Sequence, residues 1–428
     1  MFTPVLLRRF LVTPCMHDGL ITLMDVDPSR LEVMHNLAAL LIENEGAPVR
    51  VESTTDRRAA IAGADVVIIS IAVGGMAAWE DDIEIPARHG VFMHIADSIG
   101  PGGIFRAFRN LPVIEEICDD VLAAAPNAWV LNYTNPAAAV ASVMRDKGVN
   151  YASLCSCTGF PMSEDWIAEQ LGVDPSTIVM PVPVAGLNHC AGITRVELTD
   201  GRDWLELARA RATEPVVQWV LDTFGILPYC WAHWVEFFPS LQRLEGSYEG
   251  RAQGLEMRYG RRIFVMDEKR ELAQKWEDLA QRWALPENRQ EATLANLPKG
   301  PEDDGIEIVD LMESLFANRG DRLIVNIENN GAIGNLPRDA IVEVPAVIDR
   351  YGVTPLLMGD LHPGLALHLE RHWATQKATV AAALSGDRVL ALEAFRLDPL
   401  LDATLEPGAI VALLDEMLAA NAQHLARF

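Results

Sequence analysis

A chain of 428 residues is longer than one ordinary hydrophobic core serves, which predicts two domains or one two-lobed unit. Half of its residues are apolar and 22% are charged, an ordinary composition for a folded soluble protein. The formal net charge of −25 argues against nucleic acid and anionic membrane as partners, because binding phosphate needs a basic face.

The opening residues, MFTPVLLRRFL, carry an arginine pair inside their apolar stretch and no small-residue cleavage site. No apolar run reaches the roughly 18 residues of a membrane span. A reducing cytoplasm is therefore the expected location. There Cys15, Cys118, Cys155, Cys157, Cys190 and Cys230 would serve as ligands before disulfides.

Leu6 to Val12 reads as a short helix and Pro14 to Gly19 as a turn. Gly19 to Asp27 is an apolar strand ending in Asp25 and Asp27. An acid at such a strand end accepts hydrogen bonds from the ribose hydroxyls of a dinucleotide, a role that suits Asp25. Asp27, before Pro28 and Ser29, reads as a helix cap. A helix over Ser29 to Glu45, a strand over Val49 to Thr54 and a short helix through Ala62 follow. Ala64 to Gly75 is then a near-continuous apolar strand, which predicts burial on both faces and hence a parallel, doubly wound sheet. Such a fold normally opens with a strand and a G-x-G-x-x-G turn. Nothing before Asp25 matches it, so the usual pyrophosphate cradle is expected to be missing.

Ser98 to Val113 reads as a glycine-rich loop entering a helix with Arg106 and Arg109, suited to an anionic or polyhydroxyl ligand. A tight turn with solvated arginines is the plainer alternative. Asp97, just before it, is a candidate polar contact. The strand WVL delivers Asn132, with Asn135 and Pro136 following. Such asparagines pair with sugar hydroxyls or a carboxamide, although Asn-Pro also favours turns.

YASL delivers Cys155, and VPVAGL delivers His189. Ligands of open α/β sheets sit beyond the carboxyl ends of the strands, so these three strand ends should face one place. Thiolate with imidazole favours a transition metal over magnesium, and two protein ligands leave positions open for substrate oxygens. Against this, a lone histidine or cysteine is more often core.

After Val196 acids and helix formers mix with tryptophans. Leu227 to Leu241 carries His233 and Glu236 on one helix face. The tryptophans from Trp219 to Trp234 could form a sugar-stacking wall, with a subunit interface the preferred reading. Asp267 to Trp283 is a charged amphipathic helix with an expected solvated surface, and Ala284 to Asp304 is loop-rich. Leu323 to Asp349 is two strands joined by an asparagine-rich turn, and the remainder is largely helix.

Taken together, LMDVDPSRLE, IGPGGIFRAFRNLPV, NYTNPAAAV, the SLC before Ser156, AGLNH, HWVEFFP, VNIENNGAIGNLP and GDRVLALEAFRLDPL resemble glycoside hydrolase family 4 over essentially the whole chain. The family comprises NAD- and divalent-metal-dependent α-glucosidases, α-galactosidases and α-galacturonidases. The resemblance implies a Rossmann-like dinucleotide domain over 1–190 and an α+β domain over 191–428 for substrate and oligomerisation, akin to lactate and malate dehydrogenases. It implies Cys155 and His189 as metal ligands, with Cys157 a rival for the first role, and Mn²⁺ as the metal. It implies Asp25, Ala72 and Asn132 as NAD contacts. Asn132, Asn135, Asn188, Arg106 and Asp97 would contact an α-glycoside or α-uronide, in a homodimer or homotetramer.

The reaction implied is unlike that of two-carboxylate glycosidases. NAD⁺ oxidises the C3 hydroxyl, the metal acidifies the C2 proton, a base removes it, the aglycone leaves C1, water adds, and the hydride returns. Relatives often read G-D-R-H where this chain reads Cys230-Trp231-Ala232-His233, which leaves the base open among His233, Tyr248 and Tyr229, in that order. The D-S-I-G-P-G-G-I-F-R segment favours the non-phosphorylated branch. The competing readings are a simple NAD-dependent oxidoreductase of the dehydrogenase fold and a non-catalytic sugar-binding paralogue.

Overall fold

The computed structural model describes residues 2–93, 95–243, 255–298 and 307–428. Among these residues, β1 (Leu20–Met24) and β2 (Arg50–Thr54) form a two-stranded parallel ladder. The other nine strands form one sheet. They are β3 (Val66–Ile69), β4 (Trp129–Asn132), β5 (Asn150–Ser153), β6 (Val184–Leu187), β7 (Cys190–Ile193), β8 (Leu227–Pro228), β9 (Asp321–Glu328), β10 (Ile341–Asp349) and β11 (Gly352–Pro355). Their order is β3-β4-β5-β9-β10-β6-β7-β8, with β11 beside β10.

β3, β4 and β5 run parallel and are joined by helices at Gly75–Arg88, Gly100–Ala124 and Ala137–Lys147, the doubly wound arrangement expected of a Rossmann-like unit. From β5 onward every ladder is antiparallel. Consequently β6 runs opposite to β4 and β5, and His189 does not reach the site from a third parallel strand end. What brings the segments together is register. Ile69, Asn132, Ser153, Asn326, Glu343, Gly186 and Ala191 pair in turn across the sheet as one row. The boundary expected after residue 190 falls inside β7, so the sheet is continuous across it.

β3 departs from the expectation of burial on both faces. Val66, Val67 and Ile68 are half-buried, because β3 is an edge of the large sheet. The helix Phe2–Phe10 fastens the two ladders together. Its Leu6 and Phe10, four apart on one face, pack with Leu131 and Ala152 of the large sheet. Leu7 packs with Leu37, Leu41 and Val49 beside the small ladder, and so does Leu11 just past the helix end.

The segment Gly100–Gly103 is the first turn of the long Gly100–Ala124 helix rather than a loop. The glycines serve close packing. A Cβ at Gly102 would lie 2.7 Å from the Ala96 Cβ and 2.8 Å from the Asp82 carbonyl oxygen. Within the tryptophan-rich stretch Trp234 belongs to the core, fully buried and stacked 5.8 Å from Phe238, while Trp219 and Trp231 are half-buried. The helix Leu255–Ala284 is not merely a solvated surface, since Trp276 and Trp283 are buried against Leu37 and Leu41. No helix of the described residues is long and apolar enough to cross a membrane.

His372, on the Pro363–Ser385 helix, gives the core a pH dependence. It is buried, with Nε2 3.0 Å from the Phe237 carbonyl oxygen. Burial and the neighbouring His368 hold its pKa down to about 3, from an ordinary 6.5. The unfolded chain therefore takes up a proton near pH 6.5 that the folded chain refuses until about pH 3. The stability this group supplies is whole above 6.5 and is lost as pH falls, by about 1.4 kcal/mol per pH unit. In urea melts between pH 7 and 4, His372→Gln should flatten the acid limb; an unchanged slope would refute this.

Candidate active site

The row of paired residues is polar where it crosses β4, β5, β9 and β10, and its buried side chains bond to one another and to the adjoining turns, leaving Asn326 Oδ1 without a partner among the described residues. Asn132 Nδ2 donates to the Thr134 carbonyl and to Ser153 Oγ, both at 2.9 Å, and its Oδ1 accepts from Thr134 N at 2.8 Å. Asn132 is fully buried, so its carboxamide shapes the turn after β4 instead of presenting itself to a sugar or a nicotinamide. Asn135, the residue before the cis Pro136, faces the site: its Nδ2 donates to Asp97 at 2.7 Å. Asn188, on the turn between β6 and β7, donates to Glu343 at 2.9 Å, as does Asn326. Tyr229 donates its hydroxyl to the other Glu343 oxygen. Glu343 thus underpins the β6–β7 turn from β10, and both Asn188 and Tyr229 are committed to it.

That turn holds His189 at a φ of 67°, uncommon outside glycine and frequent at functional positions. Its Nε2 lies 3.1 Å from Cys155 Sγ, two residues past the end of β5. Its Nδ1 lies 2.8 Å from Ser98 Oγ and 3.6 Å from Asp97. Ser98 donates to Asp97 at 2.8 Å, bridging acid and imidazole. Burial alone would raise the Asp97 carboxyl, but His189 and His233, with Arg106, hold it well below the usual carboxylate range. Burial opposes a charge on His189 as well, yet Cys155 and Asp97 together push its pKa well above the ordinary value. The Asp97 loop is fixed from behind by Glu236, which accepts from Ile95 N at 2.5 Å and Ala96 N at 3.0 Å.

Beside this pair stands a second group. The His233 ring stacks on His189 with centroids 3.7 Å apart. Its Nδ1 is 3.2 Å from Cys230 Sγ, and the Cys230 thiol donates to Cys157 Sγ at 2.7 Å. Burial and the neighbouring His189 lower the His233 pKa to about 3, so its ring is neutral. Cys157 therefore faces Cys230, while Cys155 meets His189.

The remaining expected residues disperse. Asp25 lies exposed at the end of β1, accepting from Asp27 N at 2.9 Å, and Ala72 lies exposed in the loop after β3. Arg106 sits 5.3 Å from the Trp79 ring with its charge acting on Asp97. Arg109 is no ligand-facing residue: it is buried and bonded to Asp82, Asn421 and the Val73 carbonyl. Tyr248 lies outside the described residues. Residue types alone gave no reason to single out Ser98 or Glu343. Cys230 and His233, three apart at a helix start, are brought together by that spacing.

Comparison with known proteins bears on the family and the fold. The sequence model described as "Family 4 glycosyl hydrolase" matches residues 1–173, and that of the "Family 4 glycosyl hydrolase C-terminal domain" matches 184–401. The chain is 29% identical over 440 residues to an alpha-galactosidase of Bacillus subtilis (strain 168), covering 100% of this chain and 97% of the relative. It is 30% identical over 440 residues to an alpha-galactosidase of Rhizobium meliloti (strain 1021), covering 100% of this chain and 87% of the relative. Its fold matches a 6-phospho-alpha-glucosidase from gut microorganisms, solved in complex with NAD and Mn²⁺. There the TM-score is 0.80 at 22% identity, over 99% of this chain and 96% of the other.

Proposed function

The chain belongs to family 4 of the glycosyl hydrolases, and from that membership we propose that it cleaves non-phosphorylated α-linked hexosides or uronides with NAD and a divalent metal ion. The observation that carries the reading is the meeting of Cys155 Sγ and His189 Nε2 at 3.1 Å, beside the Asp97–Asn135 pair. The relatives named alpha-galactosidases support the substrate class, and the fold neighbour's complex supports NAD and Mn²⁺.

Bound NAD would supply reversible hydride transfer at C3, and a divalent ion would polarise the C2 and C3 oxygens. The chain's own residues divide the remaining work. Cys155 and His189 hold the ion. Ser98 and the ionised Asp97 fix the His189 ring from its other nitrogen, as metal-ligating histidines generally require. Asn135 keeps Asp97 in place and presents its remaining amide capacity to sugar hydroxyls, with Arg106 behind. To Asp25 and Ala72, exposed just past the ends of β1 and β3, we assign the ribose and nicotinamide contacts. Tyr229 is committed to Glu343 and His233 stands among the thiols, so we assign the C2 proton to Tyr248.

The test is p-nitrophenol release from the α-galactoside and the α-galacturonide. It should require both NAD⁺ and Mn²⁺ and leave no net NADH. Cleavage confined to 6-phosphoglycosides, or NADH accumulating in step with product, would overturn the reading. Tyr248→Phe should lower kcat by about a hundredfold or more with metal affinity unchanged, the usual worth of a positioned base. A kcat within a factor of a few would remove Tyr248 from the role. We further infer a homodimer or homotetramer in a reducing cytoplasm, the former checked by light scattering.

A further inference from the structure

One charged side chain beside the Asp97 loop has no counter-ion of its own. Arg106 stands in the second turn of the helix Gly100–Ala124, four residues after Gly102 and three after Gly103. Those glycines let Ala96 and Ser98 press against the helix, so Arg106 shares the face that meets the Asp97 loop. Trp79 Nε1 donates to the Ile95 carbonyl at 2.6 Å, and the indole so held lies 5.3 Å from the guanidinium carbon. That is a cation–π contact, and it leaves the guanidinium N–H groups without acceptors. Among the described residues Arg106 makes no hydrogen bond and no ion pair, and its Nε is buried. The acids nearby are already engaged. Asp82 is gripped by Arg109 at 2.8 and 2.5 Å, and Asp97 accepts from Ser98 at 2.8 Å and from Asn135 at 2.7 Å. Burial works against the charge on Arg106, and Asp97 and Asp82 favour it only from beyond hydrogen-bonding reach. A guanidinium stays charged inside a protein, so a desolvated one without an acceptor calls for an anionic ligand group.

We propose that Arg106 binds the C6 carboxylate of an α-uronide, and that the site thereby selects uronides over neutral hexosides. The inference rests on the glycosidase reading and narrows it. A carboxylate meets the planar guanidinium fork with two parallel hydrogen bonds. A C6 phosphate would bring a charge of about −1.5 to −2 at pH 7 to a single cation, with the Asp97 carboxylate alongside. Arg109, the next basic residue of the helix, is committed to Asp82, so one negative charge is what Arg106 balances. On a pyranose the C6 group lies across the ring from C2 and C3. Arg106 therefore recognises an edge of the sugar that takes no part in the chemistry, which makes it a specificity residue.

Binding is read by calorimetry on the full chain loaded with NAD⁺ and Mn²⁺, with galacturonate, galactose and galactose 6-phosphate as the probes. Galacturonate should bind about a hundredfold more tightly than galactose, the scale of a bidentate charged pair. Arg106→Gln should abolish that preference while galactose affinity stays within a factor of about two, since a neutral sugar never used the charge. Arg106→Lys should retain about tenfold of the preference, because it keeps the charge without the fork. NAD⁺ affinity should not move in either variant. Turnover gives a second readout: the ratio of kcat/KM on p-nitrophenyl α-galacturonide to that on the α-galactoside should fall about a hundredfold in Arg106→Gln.

Equal affinity of the wild type for galacturonate and galactose would overturn the proposal, and so would a preference that Arg106→Gln retains. Tighter binding of galactose 6-phosphate than of galacturonate would make the anion a phosphate and overturn it as well. Loss of NAD⁺ affinity in Arg106→Gln, with the sugar preference intact, would instead give Arg106 to a phosphate of the cofactor. Far-ultraviolet dichroism establishes that each variant is folded, and Arg106→Lys carries the comparison should the glutamine variant not fold. Failure of the glycosidase reading looks different. A chain that binds galacturonate through Arg106 but cleaves neither glycoside keeps the carboxylate site and loses that reading. One that cleaves galactosides yet shows no preference for galacturonate keeps the reading and loses the site.

Discussion

Cys155→Ser and His189→Ala should each lower kcat/KM on an α-galactoside by about a thousandfold or more, while NAD⁺ affinity stays within a factor of about two. The size follows from what the ion does for the reaction. Polarising the C2 and C3 oxygens is worth several kcal/mol of barrier, and about 4 kcal/mol is a thousandfold in rate. The nicotinamide dinucleotide is expected along β1 and β3, on segments that neither substitution touches. A graded series sharpens the test. Ser98→Ala removes the 2.8 Å contact to His189 Nδ1 but no ligand, so it should cost about ten- to a hundredfold, the usual penalty for loosening a ligand's outer support. Calorimetry with Mn²⁺ would place the same order on metal affinity: Cys155→Ser weakest, Ser98→Ala between, wild type tightest. A Cys155→Ser enzyme within tenfold of the wild type would remove the thiol from the metal site.

How much of this could be read along the chain depends on how local each determinant is. β4, β5 and β6 were legible, because runs such as WVL and VPVAGL are apolar without alternation and stop at polar residues. That Cys155 meets His189 was legible as an expectation for the same reason. The direction of β6 was not. It is set by the single pairing of Glu343 with Gly186, residues far apart in the sequence, and nothing in VPVAGL records which way its neighbour runs. The glycines at 102 and 103 read as a loop by composition, and only the closeness of Ala96 and Ser98 explains why a helix tolerates them. Asn132 illustrates a subtler limit. A strand-end asparagine looks identical whether its amide faces a ligand or closes its own turn, and the choice is made by Thr134 and by Ser153 on the next strand. Arg109 was misplaced for the reverse reason: its partners Asp82 and Asn421 are 27 and 312 residues away.

Arg109 carries the largest expected effect on stability. Its guanidinium grips Asp82 with two nitrogens, at 2.8 and 2.5 Å, inside the protein, and also donates to Asn421 at 2.7 Å and to the Val73 carbonyl at 3.1 Å. It therefore ties the helix Gly75–Arg88 and the last turn of the helix Pro407–Asn421 to the loop that follows β3. Arg109→Met should destabilise the fold by about 3–5 kcal/mol, because it strands a buried carboxylate, and breaking one half of a buried pair costs far more than the pair is worth intact. Arg109→Met with Asp82→Leu should recover most of that loss, since apolar side chains of similar volume often replace a buried ion pair at little net cost. The loop will not recover with it. Val73 is held by Arg109 at its carbonyl and by Asn110 Oδ1 at its N–H, 3.0 Å away, and it adjoins Ala72, where the nicotinamide end of NAD is expected. The double variant should therefore regain its urea midpoint yet bind NAD⁺ about tenfold more weakly, the worth of roughly one hydrogen bond to a charged group. Equal recovery of stability and of NAD⁺ affinity would mean that Arg109 serves the fold alone. A double variant no more stable than Arg109→Met would mean that the lost bonds to Asn421 and Val73, rather than the stranded Asp82, set the cost.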